Sequence, residues 1–153
     1  MSKSKEEIVT EIVNLYKEIP GPLLIILHAV QAELDYIPSG VVPLIAEGLN
    51  LSRAEIHGVI SFYHFFRTRP AGRYIVQICR AESCQAMGSR QLEVHAKNTL
   101  GVDYHETTED GLITLEPVYC LGNCACSPAV RIGDQIHAHV GVESFNTIIS
   151  ELA

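Results

Sequence analysis

Cysteine is the residue type whose spacing points most directly to chemistry in this sequence. Four of the five cysteines form two close pairs, with four residues between Cys79 and Cys84 and three between Cys120 and Cys124. The fifth, Cys126, lies two positions after Cys124. Thiolates at such spacings are typical ligands of zinc ions and of iron–sulfur clusters. We therefore predict that the two pairs converge on one site with four thiolate ligands.

The spacing alone leaves three interpretations open: a [2Fe–2S] cluster, a structural zinc ion, or buried thiols without a metal. Zinc sites accept pairs separated by two to four residues. A Rieske centre is excluded because it needs two histidine ligands, and neither pair encloses a histidine. Plant-type ferredoxin spacing fails because no cysteine lies three positions after Cys84. A thioredoxin-type dithiol needs two intervening residues, whereas Cys124 and Cys126 enclose one.

The residues beside the cysteines suit a thiolate site. Gly122 allows a tight turn with positive φ. Backbone N–H groups in residues 120–124 can donate to thiolate or sulfide, and such hydrogen bonds tune the potential of a cluster. Arg80, next to Cys79, could offset part of the negative charge. We expect Cys126 to be a bystander, because a spare cysteine usually behaves as a small hydrophobic residue.

The elements that must position the cysteines are predicted from the second half of the chain. Residues 73–79 alternate as a strand does, so Cys79 ends a strand. Residues 111–120 are also strand-like, and Pro117 within them indicates an edge strand or a strand end. A helix up to Gly101 lies between the two strands. A hairpin over residues 129–140 and a closing helix complete the order β-α-β-β-β-α.

The first half of the chain has the spacing of helices. We predict one helix that stops at Pro20, one from Pro22 to about Leu34, a short one that Ser39 caps and Gly48 follows, and one opened by the capping box of Ser52 and Glu55. The prediction is an α+β protein with a helical domain over residues 1–70 and a second domain over residues 71–153.

Composition and charge exclude several classes of function. The 153 residues carry a formal net charge of −7, which argues against nucleic-acid binding. No targeting segment is visible at the start, and the longest apolar run, residues 22–30, is too short to span a bilayer. We therefore expect no direct membrane insertion and a cytoplasmic location. In that reducing compartment cysteines are more often metal ligands than disulfides.

The sequence resembles a known family along nearly its whole length. The pairs C-x4-C and C-x3-C, with "CLGNC" and a proline soon after, are similar to those of the thioredoxin-like [2Fe–2S] ferredoxins. That family includes the small iron–sulfur subunit of the NADH module of complex I and its relatives in NAD-linked hydrogenases and formate dehydrogenases. The segments "HAVQAELDYIP" and "IHGVISFYHFF" look like its helical leader. The run "LEPVYCLGNCACSPAV", together with "SRAEIHGVISFYHFFR" and "ESCQAMGS", looks like the gamma subunit of NAD-dependent formate dehydrogenase.

This resemblance implies a specific role. The second domain would have a thioredoxin-like fold, and Cys79, Cys84, Cys120 and Cys124 would bind one [2Fe–2S] cluster. FMN and NAD would bind to a larger partner subunit, next to further iron–sulfur and formate-oxidising subunits. The isolated chain would transfer electrons without catalysing the full reaction. One departure is Asp35, which stands where many relatives have glycine.

The remaining candidates have simpler explanations. His137 and His139 are two residues apart and could chelate a metal from a strand, but an exposed hairpin face is the better interpretation because no third ligand lies near in sequence. His57 and His64 are expected at the surface. The aromatic run 62–66 fits a core or a subunit interface. Residues 106–110, "ETTED", are expected to form a solvated acidic loop.

Overall fold

The chain divides into two units, with the boundary between Pro70 and Ala71. The computed structural model of the protein describes residues 3–152. The first unit is helical and the second combines a sheet with helices, which confirms the predicted α+β class. No helix within residues 3–152 is long and apolar enough to cross a membrane.

Four helices and one 3-10 turn form the first unit. Capping boxes open the first and last helices, because Ser4 and Ser52 each accept a backbone N–H and each donate a backbone N–H to a glutamate three residues later. The capping box predicted at Ser52 is therefore confirmed. The elements are α1 (Lys5–Tyr16), α2 (Leu23–Leu34), the turn Ser39–Val41, α3 (Val42–Leu49) and α4 (Arg53–Phe62).

Apolar faces of all four helices meet in one core. The prediction that Gly48 follows the third helix is wrong, since α3 continues to Leu49 and ends at Asn50 in the left-handed region. A β-carbon at Gly48 would come within 2.3 Å of the Val13 side chain. Glycine at this position therefore allows close packing of α3 on α1. Asp35 ends α2 with φ 66, a conformation that explains why glycine suits this position.

The aromatic run of residues 62–66 is divided between core and surface. Phe66 is buried, and its ring meets that of His28 with centroids 5.0 Å apart. Phe62 and Phe65 are 74% and 58% exposed. The core part of the prediction therefore applies to Phe66, and a subunit interface at Phe62 and Phe65 stays a prediction.

The second unit contains a five-stranded mixed sheet. The strands are β1 (Tyr74–Cys79), β2 (Glu106–Thr107), β3 (Ile113–Val118), β4 (Val130–Ile132) and β5 (Gln135–His137). Their order in the sheet is β2-β3-β1-β4-β5, in which β1 and β3 are parallel and the remaining pairs are antiparallel. The predicted strands and hairpin are present, and β2 is an addition within the segment that was expected to be a loop.

Pro117 lies at the end of a strand rather than in an edge strand. β3 is flanked by β1 on one side and by β2 on the other. The short β2 pairs with β3 only at Thr114 and Leu115, so Pro117 lies beyond that ladder. A proline without a ladder N–H is therefore tolerated in an inner strand at this point.

Three helices complete the second unit: α5 (Glu82–Ala86), α6 (Ser89–Leu100) and α7 (Val142–Ser150). The helix predicted after Cys84 is interrupted, because Gly88 adopts φ 102 between α5 and α6. Leu92 of α6 and Phe145 of α7 share one apolar core with Ile78 and Leu115 of the sheet. This core holds β1 and β3, the two strands that precede the cysteine pairs.

Candidate metal centre

Each cysteine pair follows one of the two parallel strands. Cys79 is the last residue of β1 and is paired with Val118, the last residue of β3. Cys120 follows Val118 by two positions. Because β1 and β3 run parallel, both loops leave the same edge of the sheet, where α/β proteins commonly bind their ligands. This register places both loops at one edge of the sheet, and a single site formed by the two pairs stays a prediction.

The inner pair, Cys79 and Cys84, is buried. Each residue is 2% exposed, and both belong to a small buried cluster with Ala129. Burial raises the pKa of Cys79, and the neighbouring Cys84 adds to that rise, while backbone N–H groups oppose it. Burial also acts to raise the pKa of Cys84, but hydrogen bonds from Ser127, from the Ala129 backbone and from Cys79 outweigh burial and lower it. The hydrogen-bond donors around Cys84 favour its thiolate, which is the form that binds a metal.

The outer pair, Cys120 and Cys124, is exposed. The Sγ atoms are 3.8 Å apart. Two ligands at about 2.3 Å from one tetrahedral metal are separated by about 3.8 Å, so the pair already has the spacing of two thiolates on one ion. The pKa of Cys124 is raised by its hydrogen bond to Cys120 and by the charge of Cys120. A cation between the two sulfurs would remove that repulsion.

The backbone around the outer pair has positive φ angles at Cys120 and Gly122, and one of its N–H groups donates to a cysteine sulfur. Cys120 adopts φ 141, a conformation that residues other than glycine rarely take. Gly122, with φ 72, directs its backbone N–H to Cys120 Sγ at 3.3 Å. Backbone strain of this kind persists only where the surroundings impose it, and it is concentrated at binding sites. The positive φ predicted for Gly122 and the donation from residues 120–124 are both present.

The four cysteines are brought together as two pairs. Within residues 3–152, no group of three or more His, Cys, Asp and Glu side chains is placed to hold a metal ion. Each pair nevertheless supplies two thiolates, the chemistry that zinc and iron in iron–sulfur clusters prefer. The Gly122 backbone N–H donates to Cys120 Sγ, and the Ser127 hydroxyl lies 3.4 Å from Cys84 Sγ; polar contacts of this kind accompany thiolate ligands of metals. The donor set therefore fits a thiolate-bound metal group.

The loops that carry the two pairs are tied together by serines that the spacing of cysteines does not reveal. Ser83 Oγ and Ser127 Oγ each donate to the carbonyl oxygen of Cys124 at 2.9 Å. Ser127 Oγ also lies 3.4 Å from Cys84 Sγ. The sequence does not predict these contacts, because two of them connect residues more than 40 positions apart.

Other candidates near the site have different partners. Arg80 lies beside Cys79, but its Nε is 2.9 Å from Glu93, so its charge is already paired. The backbone of Cys126 makes hydrogen bonds to Asn123 and His139. His139 follows β5 with φ 51, so it is not in a strand with His137, and the chelation geometry considered for the two residues does not form.

A mixed sheet with parallel inner strands, flanking helices and cysteine loops at one edge is the architecture of a thioredoxin-like domain with a candidate cysteine site. The family model of the thioredoxin-like [2Fe–2S] ferredoxins matches residues 9–153. The chain belongs to the thioredoxin-like [2Fe–2S] ferredoxin family. The resemblance inferred from the cysteine motifs is thereby confirmed.

Individual relatives cover most of the chain. It is 31% identical to the HndA subunit of the NADP-reducing hydrogenase of Solidesulfovibrio fructosivorans over 92% of its own length and 84% of that protein. It is 32% identical to an NADH-quinone oxidoreductase subunit of Rhizobium meliloti, over 88% and 80%. A crystal structure of an NAD+-reducing [NiFe]-hydrogenase has the same fold, with a TM-score of 0.69 and 22% identity over 85% of this chain and 22% of the longer one.

Proposed function

We propose that this chain is an electron-transfer subunit that binds one [2Fe–2S] cluster through Cys79, Cys84, Cys120 and Cys124. The observation that carries the proposal is the placement of two cysteine pairs at the same edge of the sheet, on parallel strands in register. Membership of the [2Fe–2S] family supports the choice of an iron–sulfur cluster over a zinc ion, which the 3.8 Å spacing of the outer pair would also accept.

One cysteine pair of the proposed site is buried and the other is exposed to solvent. When bound, the cluster supplies a centre that accepts and returns one electron at a time. Cys79 and Cys84 hold their side of the site away from water, and backbone N–H groups donate to the sulfurs. Cys120 and Cys124 present the other side at the surface. A redox partner that docks over the outer pair would approach the metal group closely.

The partner proposed for this chain is a subunit that binds flavin and NAD. A flavin takes two electrons as hydride and can release them singly, so a one-electron carrier beside it is chemically appropriate. The relatives named above are, by their names, subunits of an NADP-reducing hydrogenase and of an NADH-quinone oxidoreductase, which supports a complex linked to NAD or NADP. Further iron–sulfur subunits of this complex are part of the proposal. On the chemistry of its cysteines, we place the complex in the cytoplasm, where thiols stay reduced.

Among such complexes we favour NAD-dependent formate dehydrogenase, in which this chain would be the gamma subunit beside formate-oxidising subunits. The segment of residues 115–130 and the run of residues 82–89 support this choice by their resemblance. The corresponding subunit of complex I or of an NAD-linked hydrogenase is the alternative, and the named relatives support it.

Affinity purification of the tagged chain from its native cells distinguishes these complexes. We expect a flavoprotein to co-purify, together with formate-dependent reduction of NAD that is absent from the isolated chain. Mass spectrometry of the purified complex identifies the large subunit. Hydrogen-dependent reduction of NAD, or NADH-dependent reduction of quinone, would assign the chain to the alternative complexes. Recovery of the chain without any flavoprotein would contradict the proposed partner.

A further inference from the structure

Two serine hydroxyls lie between the inner and the outer cysteine pair. Ser83 Oγ and Ser127 Oγ are 3.0 Å apart. Both contact the Cys124 carbonyl oxygen at 2.9 Å, and Ser127 Oγ is in addition 3.4 Å from Cys84 Sγ. Ser127 is 3% exposed, so water does not compete freely for its hydroxyl. The serines form a polar bridge from the outer cysteine's backbone to the inner cysteine's sulfur.

The two hydroxyls have fewer hydrogens than the bridge has contacts. Each serine can donate one hydrogen, whereas the bridge contains four close contacts. A Cys84 thiol can donate its own hydrogen to Ser127, but a Cys84 thiolate that binds a metal can only accept. One hydroxyl hydrogen cannot serve both the sulfur and the Cys124 carbonyl, so Ser127 leaves the carbonyl at the lowest cost when another donor still satisfies it. Ser83 is placed to be that donor.

We propose that Ser127 donates its hydroxyl hydrogen to the ligating sulfur of Cys84, that Ser83 directs it there by occupying the Cys124 carbonyl, and that together they raise the reduction potential of the bound cluster. This inference rests on the proposed function. Reduction adds negative charge to the metal group and its thiolates, and a hydrogen bond to a ligating sulfur stabilises that charge. Ser83 acts only through Ser127, so it is a positioning residue.

The proposal predicts a pattern among variants that a merely structural role of the serines does not. Ser127→Ala removes the donor and should shift the midpoint potential to a more negative value. Ser83→Ala should shift it in the same direction, although the described hydrogen bonds of Ser83 reach no sulfur. Without Ser83, the Ser127 hydroxyl turns to the carbonyl 2.9 Å away. The double variant should resemble Ser127→Ala instead of showing the sum of both shifts.

The test is a redox titration of the cluster-loaded full chain with dithionite and mediators, followed by EPR under anaerobic conditions. We expect Ser127→Ala to change the ratio of oxidised to reduced cluster three- to tenfold at a fixed potential, which corresponds to about 30 to 60 mV for one electron. Ser127→Thr keeps a hydroxyl and should stay near the wild-type midpoint. Ser150→Ala is the matched control, since Ser150 Oγ donates to Thr147 in α7.

The midpoint potentials and the iron content test the roles of Ser127 and Ser83 separately from the proposed function. An unchanged or more positive midpoint in fully loaded Ser127→Ala would overturn the inference while leaving the proposed function intact. An unchanged midpoint in Ser83→Ala would overturn the role of Ser83 as the residue that directs Ser127. A wild-type chain that takes up no iron and sulfide would overturn both the inference and the proposed function. Iron content per chain and far-UV circular dichroism identify any variant whose shift comes from misfolding.

Discussion

Replacing Cys84 with alanine is expected to reduce the iron bound per chain by about tenfold or more, since losing even an outer hydrogen-bond partner of a metal ligand costs about 10–100-fold in affinity. The same result is expected for Cys79→Ala, Cys120→Ala and Cys124→Ala. Alanine is the better replacement because the oxygen of serine could still ligate a metal. The measurement is iron and sulfide per chain after anaerobic reconstitution, with the visible spectrum of each variant.

The matched control is Cys126→Ala, which changes the remaining cysteine in the same loop. Its backbone makes hydrogen bonds to Asn123 and His139 that the substitution leaves in place, so the iron content should stay at the wild-type level. Loss of iron in Cys126→Ala together with full loading of Cys124→Ala would show that the outer pair has been assigned to the wrong cysteines.

Replacing Phe145 with alanine is expected to destabilise the second unit by about 3 to 5 kcal/mol. Phe145 is fully buried in the core that also contains Ile78 of β1 and Leu115 of β3. The lost ring leaves a cavity beneath the two strands that carry the cysteine pairs, because a packed core relaxes only in part. The free energy of unfolding is measured by urea titration of the metal-free chain with hydrogen–deuterium exchange of peptides from β1 and α6.

Phe62→Ala provides the control for this prediction, since Phe62 is 74% exposed. Its replacement should change the free energy of unfolding by no more than about 0.5 kcal/mol. Equal effects of the two substitutions on β1 and α6 would contradict the packing described here. The comparison keeps the residue type constant, while the rings differ in burial and in the unit that contains them.

The placement of both cysteine pairs at one sheet edge was predictable in outline because it depends on two local patterns. Alternation over residues 73–79 and 111–118 places a strand before each cysteine pair, and the carboxyl ends of parallel strands meet at one edge. The close spacing within each pair then indicates thiolate ligation. The hairpin turn at Gly133 and the capping box at Ser52 were predictable for the same reason, since each depends on neighbouring residues alone.

What the sequence did not reveal depends on contacts between distant residues. The strand Glu106–Thr107 is two residues long and forms only by pairing with β3, so its own pattern is that of a loop. Gly48 has the sequence signature of a helix end, but the glycine is needed within the helix because the Val13 side chain packs against it. The hydroxyls of Ser83 and Ser127 meet only because the two cysteine loops leave the same sheet edge.

The central claim, that the two cysteine pairs hold one [2Fe–2S] cluster, is tested most directly by metal and sulfide analysis of the full chain purified without oxygen. The account predicts about two irons and two inorganic sulfides per chain, a visible spectrum that bleaches with dithionite, and an EPR signal that appears on reduction. A colourless protein that contains one zinc ion and no sulfide would contradict it.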